Sequence, residues 1–166
     1  MGLPVLADIE QRLRAAKFSV ARDVTMPDGS SVALAASRTY FSWKFFVILS
    51  EHVIVAEIEN ATVGDMQSLF ATGFRHAKRV NPIPLPRGMQ FGYIVIPTII
   101  TKNPSRELID YATRRPQKRF ALFELPLVID AVSGAVNYFT GLALWGGLYF
   151  SDMRKIASKY IEGKTD

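Results

Sequence analysis

Two glutamates at the end of an apolar run are the sharpest chemical signal in this sequence. They stand in Val53-Ile54-Val55-Ala56-Glu57-Ile58-Glu59. Side chains alternate along a strand, so a strand here puts Val53, Val55, Glu57 and Glu59 on one face. At about 3.3 Å per residue, the two glutamate Cα atoms lie roughly 6–7 Å apart. Paired carboxylates suit a hard divalent cation such as Mg²⁺ or Mn²⁺. They also divide acid and base roles if one pKa is raised. The run leads into a helix, and ligands of open α/β sheets often bind at such carboxyl ends. A solvated strand end, or pairing with Arg or Lys, accounts for the same two residues without chemistry.

The second signal is charge. From Arg75 to Arg119 there are ten basic residues and two acids, a net +8, while the rest of the chain is −3. Arg75, Lys78 and Arg79 end one expected helix, and Arg114, Arg115, Lys118 and Arg119 form a loop-like cluster. Gathered on one surface, these residues suit phosphate contacts with DNA or RNA. Spread out, they are a solvated face and cations at helix C-termini. In Arg38-Thr39-Tyr40-Phe41-Ser42-Trp43-Lys44, alternation puts Arg38, Tyr40, Ser42 and Lys44 on one face and turns Phe41 and Trp43 toward the core. Such a basic, aromatic face can stack bases and bind phosphates, or be an ordinary half-exposed strand. His76, beside Arg75 and Lys78, reads as a helix-end residue, and His52 as a turn residue. Trp145-Gly146-Gly147 reads as core packing.

These side chains need elements to hold them. Leu6, Ile9, Leu13 and Ala16 make one stripe on a helix opened by Pro4 and ending near Lys17. Phe18–Thr25 reads as a strand, followed by the turn Pro27-Asp28-Gly29-Ser30. Val32–Ser37 and Thr39–Leu49 read as one bent strand or two, then a turn at Glu51-His52, then the short strand Val53–Glu59. Thr62 and Asp65 match a capping box for a helix running to about Arg79. The alternate prolines of Asn81–Gly88 predict a stiff extended connector. Phe91–Thr101 suits a strand buried on both faces, with Pro97 marking a bulge or a locally free edge. Asn103 and Pro104 open a helix that stops before Pro116. Phe120–Asp130 and Val136–Thr140 form a hairpin about Ser133-Gly134, and Ser151 caps a last helix that stops at Gly163.

The chain has 166 residues, 49% hydrophobic and 21% charged, which excludes disorder throughout and suffices for one domain with its own core. There are no cysteines and two histidines, excluding disulfides, thiol catalysis, cysteine-bound metal and a three-histidine site. Gly-x-Gly-x-x-Gly and P-loop patterns are absent, so no nucleotide cofactor is expected. The charged N-terminus lacks a signal-like apolar region, and cytoplasmic location is the expectation. Leu125–Phe150 is largely apolar, but Asp130, Asn137 and a Ser133-Gly134 turn argue for buried strands over a transmembrane helix. The apolar content also fits a homo-oligomer or a protein partner.

Helix, three antiparallel-type strands, helix, strand is similar to the core of the PD-(D/E)xK, or restriction-endonuclease-like, nucleases. The resemblance covers roughly residues 5–101, leaving about 102–166 as a C-terminal extension of a single α/β domain. In that family a strand ends in Glu-x-Lys and the next helix often carries a Gln. Glu57-Ile58-Glu59 stands at the Glu-x-Lys place and Gln67 in the following helix. Glu59 replaces the lysine expected to orient or activate water. The family's Asp has no counterpart on the preceding strand, though Asp28 and Asp23 lie near by in sequence. The resemblance implies a mixed central sheet with flanking helices. It also implies a nucleic-acid-associated protein that has lost the standard catalytic motif. Under the alternative of an active metal-dependent nuclease, Glu57, Glu59 and Gln67 would be catalytic, and Glu57, Glu59 and Asp28 would hold Mg²⁺ or Mn²⁺. A non-enzymatic interaction or assembly module is the third reading.

Overall fold

The computed structural model describes residues 3–44, 46–80, 91–117, 122–141 and 147–164. Helix α1 (Leu3–Ala15) leads into strands β1 (Ser19–Thr25), β2 (Ser31–Ser42) and β3 (Val47–Glu57). Helix α2 (Val63–Val80) crosses over to β4 (Phe91–Thr101). Helix α3 (Arg106–Thr113), short strands β5 (Leu122–Glu124), β6 (Leu127–Asp130) and β7 (Val136–Asn137), and α4 (Gly147–Lys155) follow. The last helix continues as a π-helical stretch, Ile156–Glu162.

The strands make one mixed sheet in the order β1-β2-β3-β4-β6-β7, with β5 also paired to β4. β1, β2 and β3 form an antiparallel meander, and β3 and β4 run parallel from Ile48–Phe91 to Glu57–Ile100. β5 and β6 are parallel to β4, and β7 closes a hairpin on β6. β4 is buried along its whole length, as its apolar run requires. Its Pro97 falls between the stretch paired to β5, Tyr93–Val95, and the stretch paired to β6, Thr98–Thr101. The missing N–H of Pro97 therefore faces the interruption at Leu125-Pro126, and Leu125 N–H bonds the Val95 carbonyl at 3.2 Å instead.

Each sheet face carries its own layer. On one, Leu6, Ile9 and Leu13 of α1 and Met153, Ile156 and Ile161 of the C-terminal helix pack with Val53, Val55, Ile94 and Ile96. On the other, Met66 and Leu69 of α2 and Leu108 of α3 meet Ile54, Ile99 and Val128. Lower on that face, Phe70 and Ala77 join Phe91, Tyr93 and Val95, with Ile48 and Phe74 packed beside them. The π-helical stretch is braced by Arg12, whose Nε and Nη2 donate to the Tyr160 and Ile161 carbonyls at 2.9 Å each.

The capping box at the start of α2 forms as its spacing predicts. Thr62 N–H donates to Asp65 at 2.8 Å, and Asp65 N–H donates to Thr62 Oγ1 at 3.2 Å. Four expectations are corrected. The turn expected at Glu51-His52 falls earlier, between β2 and β3, and both residues sit in mid-β3 at 1% exposure. β3 stops at Glu57, so Glu59 lies in a turn and not on the strand face. Ser105, not Asn103, caps α3, its Oγ accepting from Leu108 N–H at 3.2 Å. The last helix starts at Gly147, which puts Ser151 inside it. The connector Asn81–Gly88, Lys118, Arg119, and Trp145 with Gly146 lie outside the described residues. Among the described residues, no helix is long and apolar enough to cross a membrane.

Candidate functional site

The two glutamates lie at the carboxyl ends of parallel strands. Glu57 is the last residue of β3, and the chain turns away after Ile58 N–H bonds the Ile100 carbonyl at 3.0 Å. The turn is pinned by Thr101, whose Oγ1 donates to the Glu59 carbonyl at 2.9 Å. A cleft of about 240 Å³ opens here, lined by Glu57, Ile58, Glu59, Ile100, Thr101, Lys102 and Ala131. Lys102, at the end of β4, donates to Glu59 Oε1 at 3.1 Å. Both side chains are well exposed, so the pair adds little stability. A cation thus reaches this cleft from the neighbouring strand. The sequence reading had not singled out Lys102, because only the parallel β3–β4 register brings it beside Glu59.

The other residues expected here are elsewhere. Asp28 binds Ser30 Oγ at 2.6 Å, Thr72 Oγ1 of α2, and Arg75 at 3.2 Å. Hydrogen bonds from Ser30 and Thr72, ahead of the Arg75 charge, hold its carboxyl well below the usual range. Among the described residues, no three of His, Asp and Glu converge as a metal site, so Glu57, Glu59 and Asp28 do not assemble one. Gln67 does not line the cleft.

Gln67 instead lines a groove of about 350 Å³ between α2 and α3, with Phe70, Ala71, Phe74, Arg75, Tyr111 and Gln117. Helical spacing explains the α2 contribution, since Gln67, Ala71 and Arg75 recur every four residues on its outer face. Two aromatic residues of the groove carry cations. Lys78 Nζ lies 4.7 Å from the Phe74 ring centre, and the Arg114 guanidinium lies 4.2 Å from that of Tyr111. Arg75 uses Nη2 to donate to Thr72 Oγ1 and to Asp28, which ties the guanidinium to the turn between β1 and β2. Arg79 is exposed at the end of the same helix, and Arg115 is exposed beyond α3. Arg75 of α2 thus lines the groove, while Lys78 of α2 and Arg114 at the C-cap of α3 lie over two of its rings. Phe74, Tyr111 and Gln117 were missed in the sequence reading.

Lys44, expected to share a face with Arg38, Tyr40 and Ser42, falls in the turn after β2, and the other three share the opposite side of the sheet. With Glu51, Asp152, Lys155, Ile156 and Tyr160 these residues line a cavity of about 400 Å³. Arg38 is committed to structure there. Its Nε and Nη2 donate to Glu51 Oε2 at 2.9 and 2.6 Å, and its Nη1 donates to the Ala16 carbonyl at 3.0 Å. Tyr40 Oη donates to Glu51 Oε1 at 2.9 Å. Burial pushes the Glu51 carboxyl up, against the pull of Arg38 and Tyr40. The expectation that Phe41 and Trp43 face the core is overturned. Phe41, Trp43 and Phe46 are 43%, 76% and 73% exposed and cluster on one another at the β2–β3 turn.

His52 is buried, its Nε2 2.7 Å from Ser50 Oγ, and its Nδ1 has no hydrogen-bond partner among the described residues. Burial, then the nearby His76, lowers its pKa to about 4. His76 is shifted down by burial and by Arg79. With the fold and these geometries established, comparison with known proteins adds no relative: no family model, curated protein or solved structure matches this chain.

Proposed function

We propose that this protein binds nucleic acid through the α2–α3 face and that its strand-end cleft is not a standard metal-dependent cleavage site. The observation that carries the reading is the groove in which Arg75, Gln67 and Gln117 stand beside Phe74 and Tyr111, each ring carrying a cation. Cations suit phosphates, amide side chains suit base edges, and aromatic rings suit base faces. Arg79 and Arg115 extend the positive surface. The order α1-β1-β2-β3-α2-β4, with three antiparallel strands and a parallel fourth, supports a nuclease-like core. The separate engagement of Asp28 supports the loss of a three-carboxylate metal set.

The test is fluorescence anisotropy with labelled DNA and RNA at low salt. Arg75→Glu with Lys78→Glu should weaken binding at least about tenfold, as expected for removing and reversing phosphate contacts. Lys155→Glu, on the other side of the sheet, should leave it within about twofold. Equal weakening by both would reduce the reading to bulk charge. One observation favours the second reading, an active nuclease: Lys102 beside Glu59 in the cleft. That reading requires Mg²⁺- or Mn²⁺-dependent strand cleavage that Glu57→Gln abolishes.

A further inference from the structure

The tip of the β2–β3 hairpin is unusual for a polar surface. Phe41, Trp43 and Phe46 pack edge to face, with ring centres 4.9–6.2 Å apart and planes 81–88° apart. Perpendicular packing holds the rings against one another, yet Trp43 and Phe46 stay about three-quarters exposed. Phe46 also has φ +52°, a left-handed backbone that a bulky residue seldom adopts. The turn thus presents three aromatic rings to solvent at the cost of local strain.

The tip continues the α2 side of the sheet. Phe41 pairs with Ile48 across the strands, so both side chains point the same way. Ile48 packs in the cluster of Phe91 and Tyr93 that Phe74 also joins. Phe74 carries Lys78, and Tyr93 lies 5.5 Å from Phe74 and 4.6 Å from Phe91, ring centre to ring centre. Packed side chains, Phe74, Tyr93, Phe91 and Ile48, therefore connect the Lys78 end of α2 to the strand pair that carries Phe41. No acidic residue occurs in Arg38–Lys44 or in Phe74–Val80.

We propose that Phe41, Trp43 and Phe46 form a stacking platform for unpaired bases, so that the interface takes single-stranded nucleic acid in preference to duplex. The inference rests on the nucleic-acid reading and names its substrate class. A duplex keeps its base faces stacked inside, whereas a single strand offers them, and three exposed rings match that chemistry. Lys78 and Arg79, exposed at the end of α2, fit a polyanion running past this side of the sheet.

The experiment measures anisotropy of a labelled single-stranded oligonucleotide and of a hairpin duplex of the same length. Wild type is compared with Trp43→Ala and Phe46→Gly; co-sedimentation with phosphatidylglycerol vesicles and analytical ultracentrifugation accompany it. Phe46→Gly relieves the positive φ while removing a ring, so a folding defect is not expected to mask its effect. The proposal expects tighter binding to the single strand, lost by about tenfold in Trp43→Ala and also reduced in Phe46→Gly. Duplex binding should be unchanged in both. Equal affinity for both ligands, unmoved by either substitution, overturns the platform and leaves the nucleic-acid reading standing. No binding to either ligand at low salt overturns both. Trp43-dependent vesicle binding or self-association, without single-strand preference, overturns the platform in favour of a lipid surface or a second copy.

Discussion

Glu51 and His52 are neighbours in β3, buried on opposite faces, and neutralised by different physics. Glu51 keeps a cation: Arg38 and Tyr40 surround its carboxylate with three hydrogen bonds. Removing Arg38 while leaving Glu51 strands a buried charge, so Arg38→Met should cost about 3 kcal/mol in urea denaturation. Arg38→Met with Glu51→Leu should recover most of that loss; a double variant as unstable as the single would contradict the pairing. His52 instead stays neutral, with its pKa lowered to about 4 against an ordinary 6.5. Between those values the unfolded chain binds the extra proton. Stability from this group is therefore complete above about pH 6.5 and falls as the pH drops toward 4. At about 1.4 kcal/mol per pKa unit, wild type should lose about 3 kcal/mol more than His52→Gln between pH 7.5 and 4. Parallel losses in the two proteins would remove His52 from the acid response.

Helix α2 covers the core with one face and lines the groove with another. Its start depends on the Thr62–Asp65 box, and Thr62→Ala should lower stability by about 1 kcal/mol in thermal or urea unfolding. It lies close on the sheet at Gly73, where a Cβ would meet Ile54 at 3.0 Å and Val95 at 3.4 Å. Gly73→Leu should cost about 2–3 kcal/mol, because the added atoms have no room; a neutral result would mean the helix lifts freely. Such elements were readable where one signal dominated. The capping box, the all-apolar β4, the Pro97 break and the Ser133-Gly134 hairpin each follow from local chemistry. Glu51-His52 misled because polar residues inside an apolar run imitate a turn. What buries them is Arg38 and Tyr40 on the adjacent strand, which no local pattern contains. Phe41 and Trp43 misled in the opposite sense: alternation gave their face, but α2 covers β3 and β4 and does not reach the tip. Of the candidate site, the chain order gave Arg75 and Lys78 on one helix. Their meeting with Arg114, Tyr111 and Gln117 depends on how α3 packs beside α2.

Across the molecule, the mixed sheet separates two unlike layers. The α1 and C-terminal layer is braced internally, by Arg12 on the π-helical carbonyls and by Arg38 on Glu51. The α2–α3 layer gathers Arg75, Lys78, Arg79, Arg114 and Arg115, and the net charge of the chain is +5. A formal positive excess alone gives weak attraction to any polyanion; a gathered set gives a defined number of phosphate contacts. That number is what the most direct measurement reads: the slope of log affinity against log salt for a single-stranded oligonucleotide. Three to five contacts predict a falling line with a slope of about −2 to −3.5, made shallower by Arg75→Glu with Lys78→Glu. A line that is flat, or binding that is absent even at low salt, would contradict the claim that this face exists to hold nucleic acid.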